Sequence, residues 1–472
     1  MPHMATTRSV ADVKMPQAAD EHTRHVPSAD ASANDVLGYL DQAFFTSLRA
    51  LGRQPIMYYL WLYRSPLDEA SVNHFNQRLA QGFLGRLLQR SPLPWGRHRW
   101  VANPVPAPVT WYPRVVPVEN LPAWRNSLVE LPLDPEHGPG WRLAVQPLAD
   151  GGAALALIVS HTIADANAAN QAIADAVSGR PFEPGFPLPS KRWQPAILVR
   201  DSLESLRALP DVWRALKALM RQPKADPRLA APASETRPWN EEKTGEPVEM
   251  LPLAQVIMDQ QACEERAAKL GVKSNTLVTA VAVQLAFRLG RLGVGRLVEL
   301  VLPVSDRQPF DRRGNALRAV TLPADPGNCR LDPSTLLESI RAALQPQNRR
   351  SDDPSLILPL IPFVPHWLIR RFERKTLPAR LPTTCSLLGE LHPDVNRPCG
   401  EASLLHISTM ERYSVQLLER LGGGLLLIGY RLRGKLIITV VGHKPGRVTS
   451  CAELRPHVRA ALSDLGLDGE VS

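Results

Sequence analysis

Residues 153–165 read AALALIVSHTIAD, and this stretch decides the fold class. The first seven residues form an uninterrupted apolar run that ends at Ser160, which is typical of a fully buried strand. The small residues at 166–177 then predict a helix, with Asp165 at its N-cap. His161 therefore follows the end of a buried strand, where a side chain can face a cleft. Histidine there is a candidate general base, because its ordinary pKa of about 6.5 leaves much of it neutral near pH 7. The pattern H-x-x-x-D alone also fits a histidine that merely ends a strand.

The neighbouring sequence continues the alternation of strands and helices. Residues 141–148 and 153–160 predict two strands joined by a hairpin turn at 149–152. A serine cap at Ser65, with proline in the next position, predicts the start of a helix whose apolar face recurs every four residues. This alternation predicts the α/β class. Further strands are predicted at 55–63, 297–303, 317–322, 425–430 and 436–441, and helices at 199–220, 262–270, 275–289 and 452–465.

Composition shifts divide the chain into four parts. Residues 1–33 are polar and predict a mobile tail. Residues 34–180 form a first lobe, which contains the H-x-x-x-D motif. The prolines cluster after residue 180, so 181–252 is interpreted as a connection that carries one amphipathic helix. Residues 253–472 form a second lobe.

Composition and charge exclude several classes of protein. The chain has 472 residues, of which 44% are apolar, and this is enough for a sizeable core. The sequence contains no run of 18 apolar residues, so it predicts no membrane-spanning helix. The net charge of +9 comes without a helix-turn-helix, zinc-finger or RNA-binding pattern, so no nucleic-acid partner is expected. The five cysteines include no CxxC pair and no signal peptide is evident, which predicts a cytoplasmic protein without a disulfide framework.

Two other candidate sites are weaker on their residues. Cys385 beside Ser386 could suggest a nucleophile, but no nearby histidine supports that chemistry. His22 and His25 have the spacing of metal ligands but lie in the predicted tail. We therefore expect no metal site.

The H-x-x-x-D segment resembles the HHxxxDG motif of the CoA-dependent acyltransferase and condensation-domain superfamily. Within it, the chain looks most like bacterial wax ester synthase/diacylglycerol acyltransferases and polyketide-associated acyltransferases. Four further segments resemble the family's motifs in the family's order, so the resemblance covers about residues 37–465. They are Leu40-Asp41-Gln42-Ala43-Phe44 for LDxxF, Leu133-Asp134 with Gly140-Trp141 for PLD…PLW, Pro303-Val304-Ser305-Asp306-Arg307 with Gly314-Asn315 for PVSxR…GN, and Ser386-Leu387-Leu388-Gly389 for SNxxG.

Three positions depart from the family's pattern. Ser160 replaces the first histidine, Ala166 replaces the glycine after the aspartate, and Leu387 replaces the asparagine of SNxxG. The second histidine of the motif, which is the catalytic one in the family, is His161 here.

The resemblance implies two chloramphenicol-acetyltransferase-like lobes, built of mixed sheets and helices, that form a pseudodimer with a tunnel between them. In that arrangement His161 is the general base. Asp165 is a structural anchor that pairs with Arg307. The supporting positions are Asn315, Ser386 and Gly389.

The resemblance also implies an O-acyltransferase that moves a fatty acyl group from acyl-CoA or a carrier-bound thioester to a hydroxyl of a lipid-like acceptor. The thioester is then a co-substrate, and no permanently bound cofactor is expected. The partners are the acyl donor, the hydroxylated acceptor and, where the donor is carrier-bound, an acyl carrier protein. An amide-forming condensation enzyme and a catalytically silent protein that binds a carrier or lipid stay open as alternatives.

Two basic and apolar stretches indicate contact with a membrane surface. Residues 199–220 alternate apolar residues with arginine and lysine, and residues 356–368 are apolar and precede a cluster of basic residues. Basic amphipathic segments of this kind lie in bilayer interfaces. Ordinary surface helices that pack on the lobes, or arginines that hold CoA phosphates, explain the same pattern.

Overall fold

The computed structural model describes residues 35–180, 182, 184–190, 194–221, 248–345, 354–376, 382–411 and 413–472. The predicted tail at 1–33 lies outside the described residues, as does much of the predicted connection. The helices are α1 (Tyr39–Leu51), α2 (Glu69–Gln81), α3 (Leu121–Ser127), α4 (Ala166–Ser178), α5 (Pro195–Arg207), α6 (Leu209–Arg221), α7 (Gln260–Lys269), α8 (Ser274–Arg288), α9 (Pro326–Leu331), α10 (Ser334–Leu344), α11 (His366–Thr376), α12 (Val415–Arg420) and α13 (Cys451–Ser463).

The strands include every one that the sequence predicts. In the described residues, 3-10 helices lie at Val118–Asn120, Leu128–Glu130, Val294–Arg296, Pro354–Phe363 and Pro393–Asn396. The strands are β1 (Ile56–Tyr63), β2 (Arg86–Gln89), β3 (Arg99–Ala102), β4 (Thr110–Trp111), β5 (Trp141–Pro147), β6 (Ala153–Ser160), β7 (Val248–Glu249), β8 (Leu253–Asp259), β9 (Val298–Ser305), β10 (Leu317–Ala324), β11 (Thr383–Glu390), β12 (Leu404–Met410), β13 (Tyr413–Ser414), β14 (Gly424–Leu432), β15 (Lys435–His443) and β16 (Glu470–Val471).

Two large sheets organise the described chain. One has the strand order β12-β1-β6-β5-β4, and the other has the order β10-β9-β11-β14-β15-β8-β16. Both are mixed, because β11 runs parallel to β9 and β14, and β4 runs parallel to β5. The pairs β2–β3 and β7–β13 form two small ribbons. The predicted α/β class with mixed sheets and helices is confirmed.

The first sheet is buried on both faces, which explains the unbroken apolar runs of β1 and β6. Alternate side chains of a strand point to opposite faces. Tyr59 and Trp61 of β1 accordingly belong to a core shared with α2 and α4. Ile56 and Tyr58 belong to a separate core on the other face, which includes residues of α3.

The two predicted hairpins are present. Strands β5 and β6 pair antiparallel from Trp141 opposite Val159 to Pro147 opposite Ala153. Strands β14 and β15 pair in the same way across a turn in which Arg433 has φ +52° and Gly434 has φ +71°. Two successive positive φ values are the geometry of a two-residue hairpin turn, and glycine adopts them at the lowest cost.

Strand β12 joins the two halves of the chain. It lies between β11 and β14 in sequence, yet it pairs antiparallel with β1 in the first sheet, with Ile56 opposite Met410. The buried side chain of Gln255, in β8, donates a hydrogen bond to the carbonyl of Leu405 at 3.1 Å. The second half of the chain therefore supplies an edge strand to the sheet that carries His161.

Two local predictions were wrong. Residues 199–220 were predicted as one helix but form α5 and α6, which are separated at Ala208. Pro210 lies just after the break, and proline lacks the N–H group that a continuous helix needs there. Helix α2 was predicted to be capped by Ser65, but Asp68 is the N-cap, and its carboxylate accepts a hydrogen bond from the backbone N–H of Ser71 at 2.9 Å.

Within the described parts of the chain, no individual helix combines the length and apolarity of a transmembrane segment. The pair Gln260–Lys269 and Ser274–Arg288, bent by 85°, meets both criteria when taken together.

Candidate active site

His161 directly follows the last residue of β6. Its backbone N–H donates to the carbonyl of Pro55 at 3.0 Å, which ties it to the start of β1. The imidazole is half-buried and stacks on Phe44 of α1, with ring centroids 5.0 Å apart. The ring is therefore held between the end of a buried strand and a neighbouring helix.

Asn315 fixes the tautomer of this imidazole. Its side-chain Nδ2 donates to Asp41 Oδ1 at 2.9 Å and to the backbone carbonyl of His161 at 2.8 Å. Both of these oxygens are acceptors, so the amide nitrogen must face them and Oδ1 must face the ring. Oδ1 lies 2.9 Å from His161 Nδ1, and since Oδ1 can only accept, Nδ1 carries the proton. Nε2 then presents a lone pair, as a general base requires.

Asp41 in turn holds the loop that carries Asn315. This carboxylate of α1 is fully buried and accepts from the backbone N–H groups of Gly314 at 3.0 Å and Asn315 at 2.6 Å, as well as from Asn315 Nδ2. Burial raises the pKa of Asp41, and the donated hydrogen bonds oppose that rise. Asp41 therefore links the first half of the chain to the loop between β9 and β10.

Gly314 makes this close approach possible. A Cβ at this position would lie 2.8 Å from Asp41 Oδ1 and 3.0 Å from the carbonyl oxygens of Thr162 and Ile163. Only glycine lets the loop reach both the motif and α1 without displacing backbone.

Asp165 is both the cap of α4 and an ion-pair partner. Its Oδ1 accepts from the backbone N–H of Ala168 at 2.8 Å. Its Oδ2 accepts from Arg307 Nη2 and from the backbone N–H of Ala316, each at 2.8 Å. The sequence predicted a helix cap for this residue, and the resemblance implied a structural anchor. The ion pair that the resemblance implied is present, and the geometry combines the two roles.

Arg307 also hydrogen-bonds to the backbone of its own loop, between β9 and β10. Besides Asp165, its guanidinium donates to the backbone carbonyls of Arg313 at 3.0 Å and Gly314 at 2.9 Å. The side chains of Arg307 and Asp165 are only 15% and 4% exposed, so the pair is screened from water.

Arg86 is a further buried charged residue that holds the same loop in place. It is buried, and it donates to the carbonyl of Arg312 at 2.7 Å and to the carbonyl of Ile163, inside the motif. Its guanidinium lies over the rings of Phe83 and Trp100, at 3.8 and 4.1 Å from their centroids. Burial lowers the pKa of Arg86 to about 9.

His161 lines a cavity of about 510 Å³ between the two large sheets. The cavity is walled by residues of β1, β12, β11 and β14, most of them apolar. Ser386 and Leu387 of β11 lie in its wall, whereas Gly389 is not among its lining residues. Gly389 has φ +76° at a register shift of β11, so its contribution is to backbone shape.

The departures from the family's motif leave the loop intact. Ser160 is buried, and its hydroxyl accepts from Gln54 Nε2 at 2.9 Å and from the backbone N–H of Thr162 at 3.3 Å. Ala166 begins α4, and its carbonyl accepts from the hydroxyl of Tyr59 at 3.2 Å. Ser160 thus stabilises the loop on its buried side, and His161 is the residue that faces the cavity.

The thiol of Cys385 is not suited to act as a nucleophile. Cys385 is buried, and burial raises the pKa of its thiol to about 12. A thiol in that environment stays protonated near neutral pH. His22 and His25 lie outside the described residues, and no group of three metal-binding side chains occurs elsewhere in the described chain.

The fold that these elements define is that of the condensation domains. No protein-family model matches the chain, and no curated protein matches it. Solved structures do match, at identities of 12–19%. They confirm the predicted two-lobed fold.

Three of these solved structures illustrate the range of TM-score, sequence identity and coverage. The first condensation domain of the CDA synthetase has a TM-score of 0.56 and 12% identity, over 93% of this chain and 100% of that one. A variant of the starter condensation domain of rhizomide synthetase RzmA, in complex with C8-CoA and Leu-SNAC, has a TM-score of 0.52 and 17% identity, over 94% and 100%. Polyketide synthase associated protein 5 from Mycobacterium tuberculosis has a TM-score of 0.50 and 16% identity, over 91% and 98%.

The chain also matches part of a longer protein. It is 19% identical to the nonribosomal peptide synthetase FmoA3, with a TM-score of 0.54. The match covers 95% of this chain and 46% of FmoA3, so the chain spans less than half of that protein.

Sequence reasoning missed two of the residues that shape the site. Asp41 was matched only as part of the LDxxF opening, and Arg86 carried no motif at all. The one signal for Asp41 was its charge within the mixed apolar and aromatic stretch before β1. The sequence held no signal for Arg86.

The Asp165–Arg307 pair allows a test of how far the junction supports the fold. Asp165→Asn keeps a capping oxygen but leaves Arg307 without its counter-ion, and Arg307→Met leaves Asp165 without its own. Breaking one side of a buried pair typically costs about 3–5 kcal/mol. We expect each single variant to lose that amount of unfolding free energy, measured by urea denaturation.

The double variant should lose less than the sum of the two, because neither charge is then left unpaired. Lys435→Ala is the control, because its pair with Asp259 is half-exposed on both sides and its loss should change little. Strictly additive losses would show that Asp165 acts as a helix cap alone.

Proposed function

We propose that this protein is an acyltransferase that moves a fatty acyl group from an acyl thioester to a hydroxyl of a lipid-like acceptor, with His161 as the general base. The observation that carries the proposal is the state of His161. Its Nδ1–H is committed to Asn315, no hydrogen bond from the described chain occupies Nε2, and the ring lines an apolar cavity between the two sheets.

The chemistry needs only this one base. Nε2 takes the proton of the acceptor hydroxyl as the oxygen attacks the thioester carbonyl. The tetrahedral intermediate then collapses, the carbon–sulfur bond breaks, and the thiolate takes the proton back from His161. General-base assistance of this kind contributes about 10²–10⁴ in rate. Asp165 has both oxygens engaged with Ala168, Arg307 and Ala316, so it serves as an anchor and not as a second acid.

An acyl thioester as the donor is supported by the comparisons. The matching RzmA domain was solved with C8-CoA and Leu-SNAC. In this proposal the donor is acyl-CoA or an acyl group on a carrier protein, and it is a co-substrate.

Amide formation is the second candidate. Several of the matching structures are condensation domains of peptide synthetases, and an amine acceptor would need the same base at the same place. A panel of alcohols and amines offered with one acyl-CoA separates the two reactions by their products. If no thiol is released with any of the alcohols or amines, the result would favour the silent, binding-only alternative.

An exposed apolar surface supports a proposal about location. On α5, α6 and α11, and on the 3-10 helix Pro354–Phe363, large apolar side chains face solvent, and these elements form one face over α1. Arginine and lysine side chains lie among them, as in segments that bind anionic bilayers. We propose a cytoplasmic protein that associates with membrane surfaces through this face. Its most exposed apolar members are Val199, Leu203, Leu206, Leu209, Trp213, Leu219, Met220 and Trp367.

Replacement of His161 tests the base directly. His161→Ala should lower kcat for acyl transfer by about two to four decades, because the proton acceptor is lost. Thiol release from a panel of acyl-CoAs, in the presence of long-chain alcohols, is the measurement. The matched control is His137→Ala, since that histidine is exposed on the surface and should leave turnover unchanged. Full activity in a folded His161→Ala protein would refute the mechanism.

The pH dependence of kcat/KM follows from the burial of His161. Burial disfavours the imidazolium and lowers the pKa of His161 from its ordinary value of 6.5, although the charge of Asp165 opposes the shift. The base works in its neutral form, so activity should persist as the pH falls to 6.5 and decline only below that value. An acid limb with its midpoint clearly above pH 6.5 would contradict this assignment.

Membrane association is tested by vesicle sedimentation. The protein should pellet with vesicles of phosphatidylcholine and phosphatidylserine, and less so at high salt, because the attraction is partly electrostatic. The double variant Trp213→Ser/Trp367→Ser should lose most of the pelleted fraction. Leu331→Ser, a similarly exposed apolar position in the second half of the chain, is the control and should bind as the parent does. Equal losses in both variants would count against a defined docking face.

A further inference from the structure

A buried arginine without a carboxylate partner lies in the wall of the cavity. Arg125, in α3, is 9% exposed and lines the same cavity as His161. Its Nε and Nη2 both donate to Asn126 Oδ1, at 3.1 and 2.8 Å. Within the described chain no aspartate or glutamate forms an ion pair with it, and its guanidinium lies close to the phenol of Tyr58. A cation removed from water is costly unless an anion compensates it, so this guanidinium is arranged for a charge that the described residues do not supply.

The groups around Arg125 are also short of partners. Tyr58 is fully buried and lines the cavity, and its hydroxyl lies next to Arg125 and Ser408 without meeting full hydrogen-bond geometry with either. Its ring stacks on His406, with centroids 5.6 Å apart, and Nε2 of that buried histidine is likewise unpaired. Burial raises the pKa of the Tyr58 hydroxyl, and the nearby Arg125 opposes the rise. Buried polar atoms almost always find partners, so such a group of unpaired atoms beside a cavity points to a ligand.

The number of charges indicates which anion fits. One guanidinium and one phenol match a singly charged, planar carboxylate, which accepts hydrogen bonds from both. A phosphate dianion would need further cations, and the other described residues that line this cavity include no second lysine or arginine.

The position of the cluster along the strands sets the length of the ligand. Tyr58 pairs with Ile158, and His161 lies three residues beyond Ile158 along the chain. At a rise of about 3.3 Å per residue, the cluster is roughly 10 Å from the base. A single substrate can therefore reach both ends, and the wall between them is mostly apolar.

We propose that the acceptor is a hydroxylated molecule with a carboxylate at its far end, which Arg125 and Tyr58 bind while the hydroxyl reaches His161. This inference rests on the proposed acyl transfer. A plain fatty acyl chain ends in a methyl group and would leave the guanidinium unpaired, so of the two substrates the acceptor is the one that carries the charge. An ω-hydroxy acid with an alkyl chain of medium length has the required form.

The test is a binding measurement that needs no catalysis. Isothermal titration calorimetry compares ω-hydroxyoctanoate with its methyl ester, on the full chain without any thioester. A charged hydrogen bond contributes about 1.5–3 kcal/mol, so the acid should bind about tenfold to a hundredfold more tightly than the ester. Arg125→Met should abolish that preference and leave binding of the ester unchanged, and Tyr58→Phe should reduce it. The control is Arg114→Met, an exposed arginine outside the cavity.

Thermal unfolding separates a binding role from a structural one. Removing a buried cation that has no counter-ion should leave the melting temperature of Arg125→Met unchanged or higher. A lower melting temperature, with equal loss of binding for the acid and the ester, would overturn the proposal. So would a dependence on Arg125 that appears with ω-carboxyacyl donors and not with acceptors.

The two proposals fail in different ways. An Arg125-dependent preference for the acid, without acyl transfer from any thioester, would support the carboxylate site and reject the proposed function. Equal binding of acid and ester by the parent protein, with normal acyl transfer to simple alcohols, would reject the carboxylate site alone.

Discussion

The site depends on the attachment of one loop, between β9 and β10, to the first sheet. Three buried charges from the first half of the chain hold it, because Asp41, Arg86 and Asp165 each bond to its backbone. Arg307 closes the arrangement by pairing with Asp165 from the loop's own side. Since the loop carries Asn315, these contacts also decide which nitrogen of His161 bears the proton. The contacts that join the two halves of the chain thus also set the tautomer that the proposed general base requires.

The contacts that hold this loop do not depend on the motif positions that depart from the family's pattern. Ser160 turns inward and hydrogen-bonds to Gln54, so the position of the family's first histidine has a bracing role here. His161 is supported from three separate elements, through Phe44, Pro55 and Asn315. Arg125, in α3, makes none of these supporting contacts, although it lines the same cavity as His161. Its lack of a counter-ion is therefore a property of the cavity and not of these contacts.

Periodicity and turn chemistry predicted seven of the sixteen strands in the described residues, because the apolar pattern and the turns of these seven are set by their own residues. The strand ending at Ser160 and the hairpin at Gly434 are examples. The pairing of Asp165 with Arg307 was implied by the resemblance to the superfamily and not by any local pattern of residues. Three features could not be found in this way. The insertion of β12 beside β1 depends on sheet completion, Arg86 is specified only by tertiary contacts, and the isolation of Arg125 is visible only once the carboxylates of the described residues have been placed.

The most direct test of the account is the tautomer of His161 in the folded protein at neutral pH. Nitrogen-15 NMR of histidine-labelled protein, with the signal assigned by its absence in His161→Gln, distinguishes a protonated ring nitrogen from one with a free lone pair. The account predicts that Nδ1 carries the proton and that Nε2 is unprotonated, because Asn315 can only accept at that contact. A proton on Nε2 would contradict it, since the base would then face the cavity with no lone pair to use.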